Sequence, residues 1–315
     1  MSKIAFIYPG QGAQKAGMGA DFYENSEIAR YIFDQAGEEL DLDMKELCFE
    51  ENDRLDLTEY TQAAMVTTCL AMTRVAESKG LKADITAGLS LGEYPAIAAA
   101  GGMNDMDAIR LVRKRGILMQ NTVPAGEGAM CAVISMAAEE IEKVIEPIAD
   151  VSVANYNCPG QIVITGKTDA VEEAAAKLKE AGARRTIMLN VSGPFHSQML
   201  VPAGEKLAEE LEHTRFHELR IPYVTNVTAE KVTDIRETPG LLTTQISSPV
   251  RWMQSMERMI ADGVDTFVEI GPGKTLEGFL RKIDRSVKVF HISQWEDVDK
   301  VCTELADSGN RMEEA

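Results

Sequence analysis

The stretch Ile85-Thr86-Ala87-Gly88-Leu89-Ser90-Leu91-Gly92-Glu93-Tyr94 carries Gly-x-Ser-x-Gly between a short apolar run and an alanine-rich segment. A serine on a sharp strand-to-helix turn presents its hydroxyl to a cleft, and the two glycines remove side chains that would collide across so tight a bend. Residues 84–87 read as the strand and residues 91–100 as the helix. The helix start puts a positive dipole end beside the Leu91 amide, which could then bind an oxyanion. Gly-x-Ser-x-Gly alone is a weak signal. The strand before it and the helix after it make Ser90 a candidate nucleophile, with a glycine-flanked helix cap as the alternative role.

Around this turn, 315 residues allow one large domain with an insertion or two domains of ordinary size. A formal charge of −18 argues against nucleic-acid and anionic-membrane partners, which need a sustained basic surface. An anionic substrate would need a local basic pocket. Cys48, Cys69, Cys131, Cys158 and Cys302 are odd in number and contain no Cys-x-x-Cys, so they read as buried thiols in a reducing compartment. The apolar run before Pro9-Gly10 is too short for a signal peptide or a membrane span. A cytoplasmic protein is expected.

Residues 4–8 read as a buried strand that ends in Pro9-Gly10-Gln11-Gly12-Ala13-Gln14, a glycine-rich turn able to bring backbone amides close to a ligand. It is no dinucleotide fingerprint, because Lys15 stands where the third glycine belongs. Periodic segments follow at 28–40 and 61–79, the second stopped by Gly80. Residues 105–121 are amphipathic, with Ile109, Val112, Gly116 and Met119 on one face and Arg113, Lys114 and Arg115 near the middle.

From Gly126 the pattern becomes strand 129–136, helix 138–148, strands 151–156 and 161–166, helix 170–181 and strand 185–191. That β-α-β-β-α-β order is the split βαβ arrangement of ferredoxin-like domains, here an insertion at 126–192. Helix 197–213, strand 223–226, helix 251–262, strand 266–270, helix 275–283 and strand 288–291 then resume an alternating α/β pattern. The larger domain is therefore discontinuous, 1–125 and 193–315. Its polar tail, 308–315, is expected to fray.

Ser90 needs a base, and the chain has four histidines. His196 stands in Ser192-Gly193-Pro194-Phe195-His196-Ser197, a turn at a helix start, and is the best candidate; a helix-terminal residue with no task is the alternative. His213 and His217 are spaced for a shared metal but lack a third ligand nearby, so a solvated helix end is preferred and no metal is expected. His291 ends an apolar strand and reads as packed. Gly271-Pro272-Gly273-Lys274-Thr275 fails as a phosphate loop, because the required first glycine falls at Val268 and Pro272 removes an amide. Arg115 reads either as a surface ion pair or, if turned into the cleft, as a two-point clamp for a substrate carboxylate.

Together, Pro9-Gly10-Gln11-Gly12, Gly88-x-Ser90-x-Gly92-Glu93-Tyr94, Arg115-Gly116 with Met119-Gln120, Asn155-Tyr156-Asn157-x-Pro159-Gly160-Gln161, Gly193-Pro194-Phe195-His196, and Gln245 with Ser248-Pro249-Val250-Arg251-Trp252 closely resemble the malonyl-CoA:acyl carrier protein transacylases of fatty acid synthesis. The blocks occur in family order over nearly the whole chain. The resemblance implies an α/β-hydrolase-like large domain with an inserted ferredoxin-like one. It implies Ser90 as acyl acceptor, His196 as general base and acid, the amides of Gln11 and Leu91 as oxyanion hole, Arg115 as partner of the malonyl carboxylate, and the Gln245 region as the segment orienting the histidine. Asn155 and Asn157 fall in a cleft-lining block.

Malonyl-CoA and acyl carrier protein are the implied partners, with no cofactor, and a monomer is expected. Because carrier proteins are acidic, Arg184, Arg185, Lys274, Arg281, Lys282 and Arg285 are candidate docking cations. One departure stands out: Leu89 occupies the elbow position that is usually histidine in the family, which puts rate and acyl selectivity in question. Phe195 is the family variant linked to malonyl groups. The rival readings are a serine esterase or thioesterase, which would need an acid between Ser90 and His196, and a docking subunit without turnover.

Overall fold

Short apolar runs that lack amphipathic periodicity form the centre of the computed structural model, which describes residues 2–313. Among the described residues the strands are β1 (Ile4–Tyr8), β2 (Ile85–Gly88), β3 (Gly128–Ile134), β4 (Val151–Cys158), β5 (Gln161–Lys167), β6 (Arg185–Met188), β7 (Tyr223–Val224), β8 (Lys231–Val232), β9 (Thr266–Ile270) and β10 (Lys288–Ile292). They form two sheets, one ordered β10-β9-β1-β2-β7-β8 and one ordered β4-β5-β3-β6.

In the larger sheet every pairing is parallel except β7 with β8. Successive side chains of a strand point to opposite faces, and the core divides accordingly. Ala5, Ile7, Ile85, Ala87 and Phe267 join one apolar cluster with helices Trp252–Ala261 and Thr275–Ile283; Phe6, Tyr8, Val268 and Ile270 join the other with helices Thr58–Ser78 and Asp105–Asn121. Helix Thr58–Ser78 is buried nearly all round. Its threonines are tolerated there because Thr68 and Thr73 donate to the carbonyls of Ala64 and Cys69, one turn earlier.

The smaller sheet is antiparallel throughout and takes all its strands from residues 128–188. Helices Ala138–Ile145 and Thr168–Glu180 close one face, Ile141 and Leu178 joining Val133 and Ile164 of the strands in one cluster. From the other face Met130, Ala132 and Val163 join the large cluster. Val250 stitches the two layers together, donating from its amide to Ala154 O at 2.8 Å and accepting from Tyr156 N at 2.9 Å. The result is a mixed α/β fold of two domains.

Several elements differ from the sequence expectation. The helix expected over 91–100 is a single tight turn at Ser90–Gly92 followed by helix Glu93–Ala99. The one expected over 197–213 begins with a tight turn at Gln198–Leu200, with the helix proper at Val201–Glu212 and Pro202 in its first turn. Helices Ala20–Asn25, Met44–Phe49 and Thr238–Gln245 were not anticipated. The tail expected to fray is helical to Glu313, while Glu314 and Ala315 lie outside the described residues. Cys302 is half-buried, unlike the other four cysteines. No helix among the described residues is long and apolar enough to cross a membrane.

Candidate active site

The turn after β2 is built by exclusion of side chains. A Cβ on Gly88 would lie 1.8 Å from Gly92 O, and one on Gly92 would lie 2.2 Å from Tyr8 O of the neighbouring strand. Only glycine permits that approach, and it forces Ser90 into the left-handed region at φ 52°. Asn226, just past β7, holds the strained turn from the side: its Oδ1 accepts from Ser90 N at 2.6 Å and its Nδ2 donates to Gly88 O at 2.7 Å. The serine hydroxyl is thereby presented to a cleft of about 410 Å³ between the two sheets, lined also by Gln11, Leu91, Arg115, Asn155 and His196.

Ser90 Oγ lies 2.7 Å from His196 Nε2. His196 Nδ1 lies 2.9 Å from Gln245 O, a group that can only accept, so Nδ1 carries the proton and Nε2 is free to accept from the serine. The histidine is buried and, like Ser90, adopts a positive φ, 61°, fixed by its own amide donating to Ile246 O. Burial pushes the imidazole pKa down to about 4, and the nearby Arg115 charge adds to the effect. It is therefore neutral at pH 7, the form that can take a proton.

Arg115 is the one member of the Arg113-Lys114-Arg115 run that turns inward. Arg113 pairs with Glu59 at 2.7 Å and Lys114 with Glu210 at 3.5 Å, while Arg115 is buried. Its stripe on helix Asp105–Asn121 is that of Val112 and Met119, and Gly116 beside it lets the helix cross close to the Thr58 carbonyl. The guanidinium donates to Gln62 Oε1 at 2.9 Å, to Gln245 Oε1 at 3.0 Å and to Ser90 Oγ at 3.3 Å, and lies over the Tyr94 ring. A fixed cation thus stands beside the serine oxygen, and its fork matches the two oxygens of a carboxylate.

Gln245 sits behind this group, and its side-chain amide donates to Ser90 O at 3.0 Å. Gln11 and Leu91 line the cleft together with Ser90, with the Gln11 side chain anchored to Thr58 Oγ1 at 3.0 Å. Leu89 forms an apolar wall against Gly10.

Residues 5–298 match the family model of the acyl transferase domain. The chain belongs to the acyl transferase family. It is 43% identical over 315 residues to the malonyl CoA-acyl carrier protein transacylase of Bacillus subtilis, covering 98% of this chain and 99% of that one. The crystal structure of malonyl CoA-acyl carrier protein transacylase from Clostridium perfringens superposes with a TM-score of 0.95 at 42% identity, covering 99% of this chain and all of the other. A malonyl-transacylase solved in complex with its type II PKS acyl-carrier protein superposes with a TM-score of 0.93 at 35% identity, covering 96% of this chain and 100% of that one.

In this acyl transferase the remaining histidines stand apart from the cleft. His213 ends helix Val201–Glu212, and His217 hydrogen-bonds through its amide to Gly102 O. His291 lies on β10, 3.5 Å from Glu277. Asn155 and Asn157 both reach the cleft. Two residues that hold the site have little or no signal in the sequence, Gln62 against Arg115 and Asn226 against the backbone of the serine turn. Gln62 is one polar residue in a buried helix, and its position one turn after Thr58 facing Arg115 is visible only once the two helices cross. Asn226 carries a weak signal, an asparagine at the end of an apolar strand.

Proposed function

We infer that the protein moves a malonyl group from coenzyme A to the phosphopantetheine thiol of acyl carrier protein, through a malonyl ester on Ser90, in fatty acid biosynthesis. The observation that carries this is the buried Arg115 guanidinium 3.3 Å from Ser90 Oγ, in a neutral serine–histidine pair. A buried cation with a two-pronged donor set suits an acyl group that brings a carboxylate of its own. Nearly full-length relatives that are named for this reaction support the same reading.

His196 Nε2 takes the Ser90 proton as Oγ attacks the thioester carbonyl. The tetrahedral oxyanion turns to the amides of Gln11 and Leu91, each such donor contributing ~3 kcal/mol in comparable sites. Collapse breaks the carbon–sulfur bond, and the imidazolium returns its proton to the departing coenzyme A thiolate. The carrier thiol then attacks the ester by the same steps, which gives ping-pong kinetics. Throughout, Gln62 and Gln245 hold the Arg115 fork while its Nη2 exchanges Ser90 Oγ for the malonyl carboxylate.

The Nδ1 partner of His196 is a neutral carbonyl, where a Ser-acid-His hydrolase would present a carboxylate. One chain supplies every residue of the site, so a monomer suffices, and a reducing cytoplasm suits its unpaired thiols. The test is intact mass after brief mixing with malonyl-CoA or acetyl-CoA. Wild-type protein should gain one malonyl group and Ser90→Ala none; Arg115→Ala should slow malonyl loading at least about 30-fold and acetyl loading far less. Equal losses with both donors would make Arg115 structural.

A further inference from the structure

Resting on the reading of Ser90 as the acylated residue, we propose that Glu93 is the positioning residue of this site, a buried hydrogen-bond acceptor that fixes both the nucleophile turn and the segment behind the histidine. Glu93 begins helix Glu93–Ala99, three residues after Ser90, and is fully buried. Its Oε2 receives two donors. Gln245 Nε2 reaches it at 2.7 Å, and the backbone amide of Asn226 reaches it at 3.1 Å.

Each donor belongs to a residue that acts directly on the reacting groups. Gln245 accepts the His196 Nδ1 proton through its main chain, donates to Ser90 O, and receives Arg115 through Oε1. Asn226 bridges Ser90 N and Gly88 O. One carboxylate oxygen therefore ties together segments 133 and 152 residues downstream, against the turn that carries the serine.

The arrangement works through geometry. Gln245 could otherwise rotate its amide, exchanging the oxygen that receives Arg115 for the nitrogen, and would then set two donors against each other. The Ser90 carbonyl opposes that rotation at 3.0 Å, and Glu93, the shorter contact at 2.7 Å, gives the second Nε2 hydrogen its acceptor and fixes where the amide stands. Burial holds the Glu93 carboxyl up to about 7, opposed by Gln245, the Thr225 side chain, the Asn226 amide and Arg115. A proton placed on Oε1 leaves Oε2 an acceptor, so the network survives in either charge state. Neutral glutamine, with its oxygen in the Oε2 position, preserves both contacts. Aspartate keeps the charge and falls one methylene short.

The test is the rate of malonyl-Ser90 formation, followed by quenched mixing and intact mass across malonyl-CoA concentrations, in wild type, Glu93→Gln, Glu93→Asp, Glu93→Ala and Ser90→Ala. Glu93→Ala and Glu93→Asp should lose about 30-fold or more in the saturating rate, with half-saturation within about threefold of wild type, because misplacement by an ångström costs rate more than binding. Glu93→Gln should stay within about threefold on both. A Glu93→Gln loss as deep as that of the other two, or a Glu93→Ala rate equal to wild type, overturns the proposal. If Glu93→Ala does not fold, the order of Glu93→Gln and Glu93→Asp decides: aspartate faster than glutamine makes charge the operative property and rejects the geometric role. Absence of the adduct in wild type, or its presence in Ser90→Ala, defeats the underlying reading instead.

Discussion

His196 has surroundings that decide how the enzyme answers to pH. An ordinary histidine titrates near 6.5, and here burial with the Arg115 charge holds the imidazole down to about 4. The acid limb of kcat/KM for acylation is therefore expected near pH 4. A bound malonyl carboxylate offsets part of the Arg115 field, so the limb of kcat should lie at higher pH than that of kcat/KM. Both profiles measured with malonyl-CoA check this, and a limb near 6.5 in each would mean an imidazole that is solvated and indifferent to Arg115. The depression also bears on stability. Between pH 6.5 and about 4 the unfolded chain binds a proton that the folded site refuses, so about 3 kcal/mol is present at neutral pH and lost as pH falls through that window. Ser90 and His196 are readable from the chain because each sits in a glycine-marked turn at the start of a helical segment, where a side chain can be presented to a cleft. Arg115 is half readable: its spacing from Val112 and Met119 puts it on the apolar stripe, though only the inward Gln62 and Gln245 show why a cation is tolerated there. Asn226, an asparagine ending an apolar strand, and Glu93, inside the elbow motif, are visible in the chain, but what they do is not, because it depends on contacts made across more than a hundred residues.

The strand–turn–helix unit around Ser90 depends on two close approaches of backbone to backbone. Gly92→Ala would drive a Cβ to 2.2 Å from the Tyr8 carbonyl and 2.9 Å from that of Pro9, neither of which can rotate away as a side chain could. β1 would have to separate from the turn, and because β1 is central in the sheet, the cost spreads to β2 and β9. A loss of about 3 kcal/mol or more is expected, seen as a lower urea midpoint at unchanged slope, together with loss of malonyl loading. Normal stability would mean that the turn can relax without the strand. The chain announces the parallel strands as short apolar runs, and helix Asp105–Asn121 and the β-α-β-β-α-β run by their period. Helix Thr238–Gln245 is silent because Thr-Pro-Gly-Leu-Leu-Thr-Thr-Gln offers no apolar stripe and sets its two leucines among Pro, Gly and three threonines, and its Thr243 and Thr244 are satisfied by back-bonding to Pro239 and Gly240. Gln245 was accordingly reachable only through family resemblance. The break between Ser90–Gly92 and Glu93–Ala99 was hidden for a different reason, since a left-handed serine is imposed by packing of the strand behind it.

For the molecule as a whole, a charge of −18 must be reconciled with an acidic carrier. Two acidic proteins repel at long range, so productive encounter needs a local reversal of sign where the phosphopantetheine arm enters. Of the six cations considered from the sequence, three cluster on the segment that edges the cleft. Lys274 is exposed beside cleft-lining Thr275, Lys282 lies 3.5 Å from cleft-lining Gln161, and Arg281 is held by Glu277 at 2.6 Å. Arg281 is therefore partly spent on its own helix, whereas Lys274 and Lys282 are paired with no carboxylate among the described ion pairs. That they share a rim could not be read along the chain, because Gln161 belongs to the smaller sheet and Lys282 to the helix that packs beneath it. Reversing both, Lys274→Glu with Lys282→Glu, should raise KM for the carrier protein bearing a free phosphopantetheine thiol about tenfold at low salt and much less at high salt, where the Debye length is short. Loading of Ser90 from malonyl-pantetheine, which lacks the nucleotide and its phosphates, should stay within about twofold of wild type. That pairing separates docking from chemistry. An unchanged carrier KM would place the carrier elsewhere on the surface, whereas slowed loading from malonyl-pantetheine would show that the substitutions had disturbed the helix bearing Leu276 and Phe279 in the cleft wall.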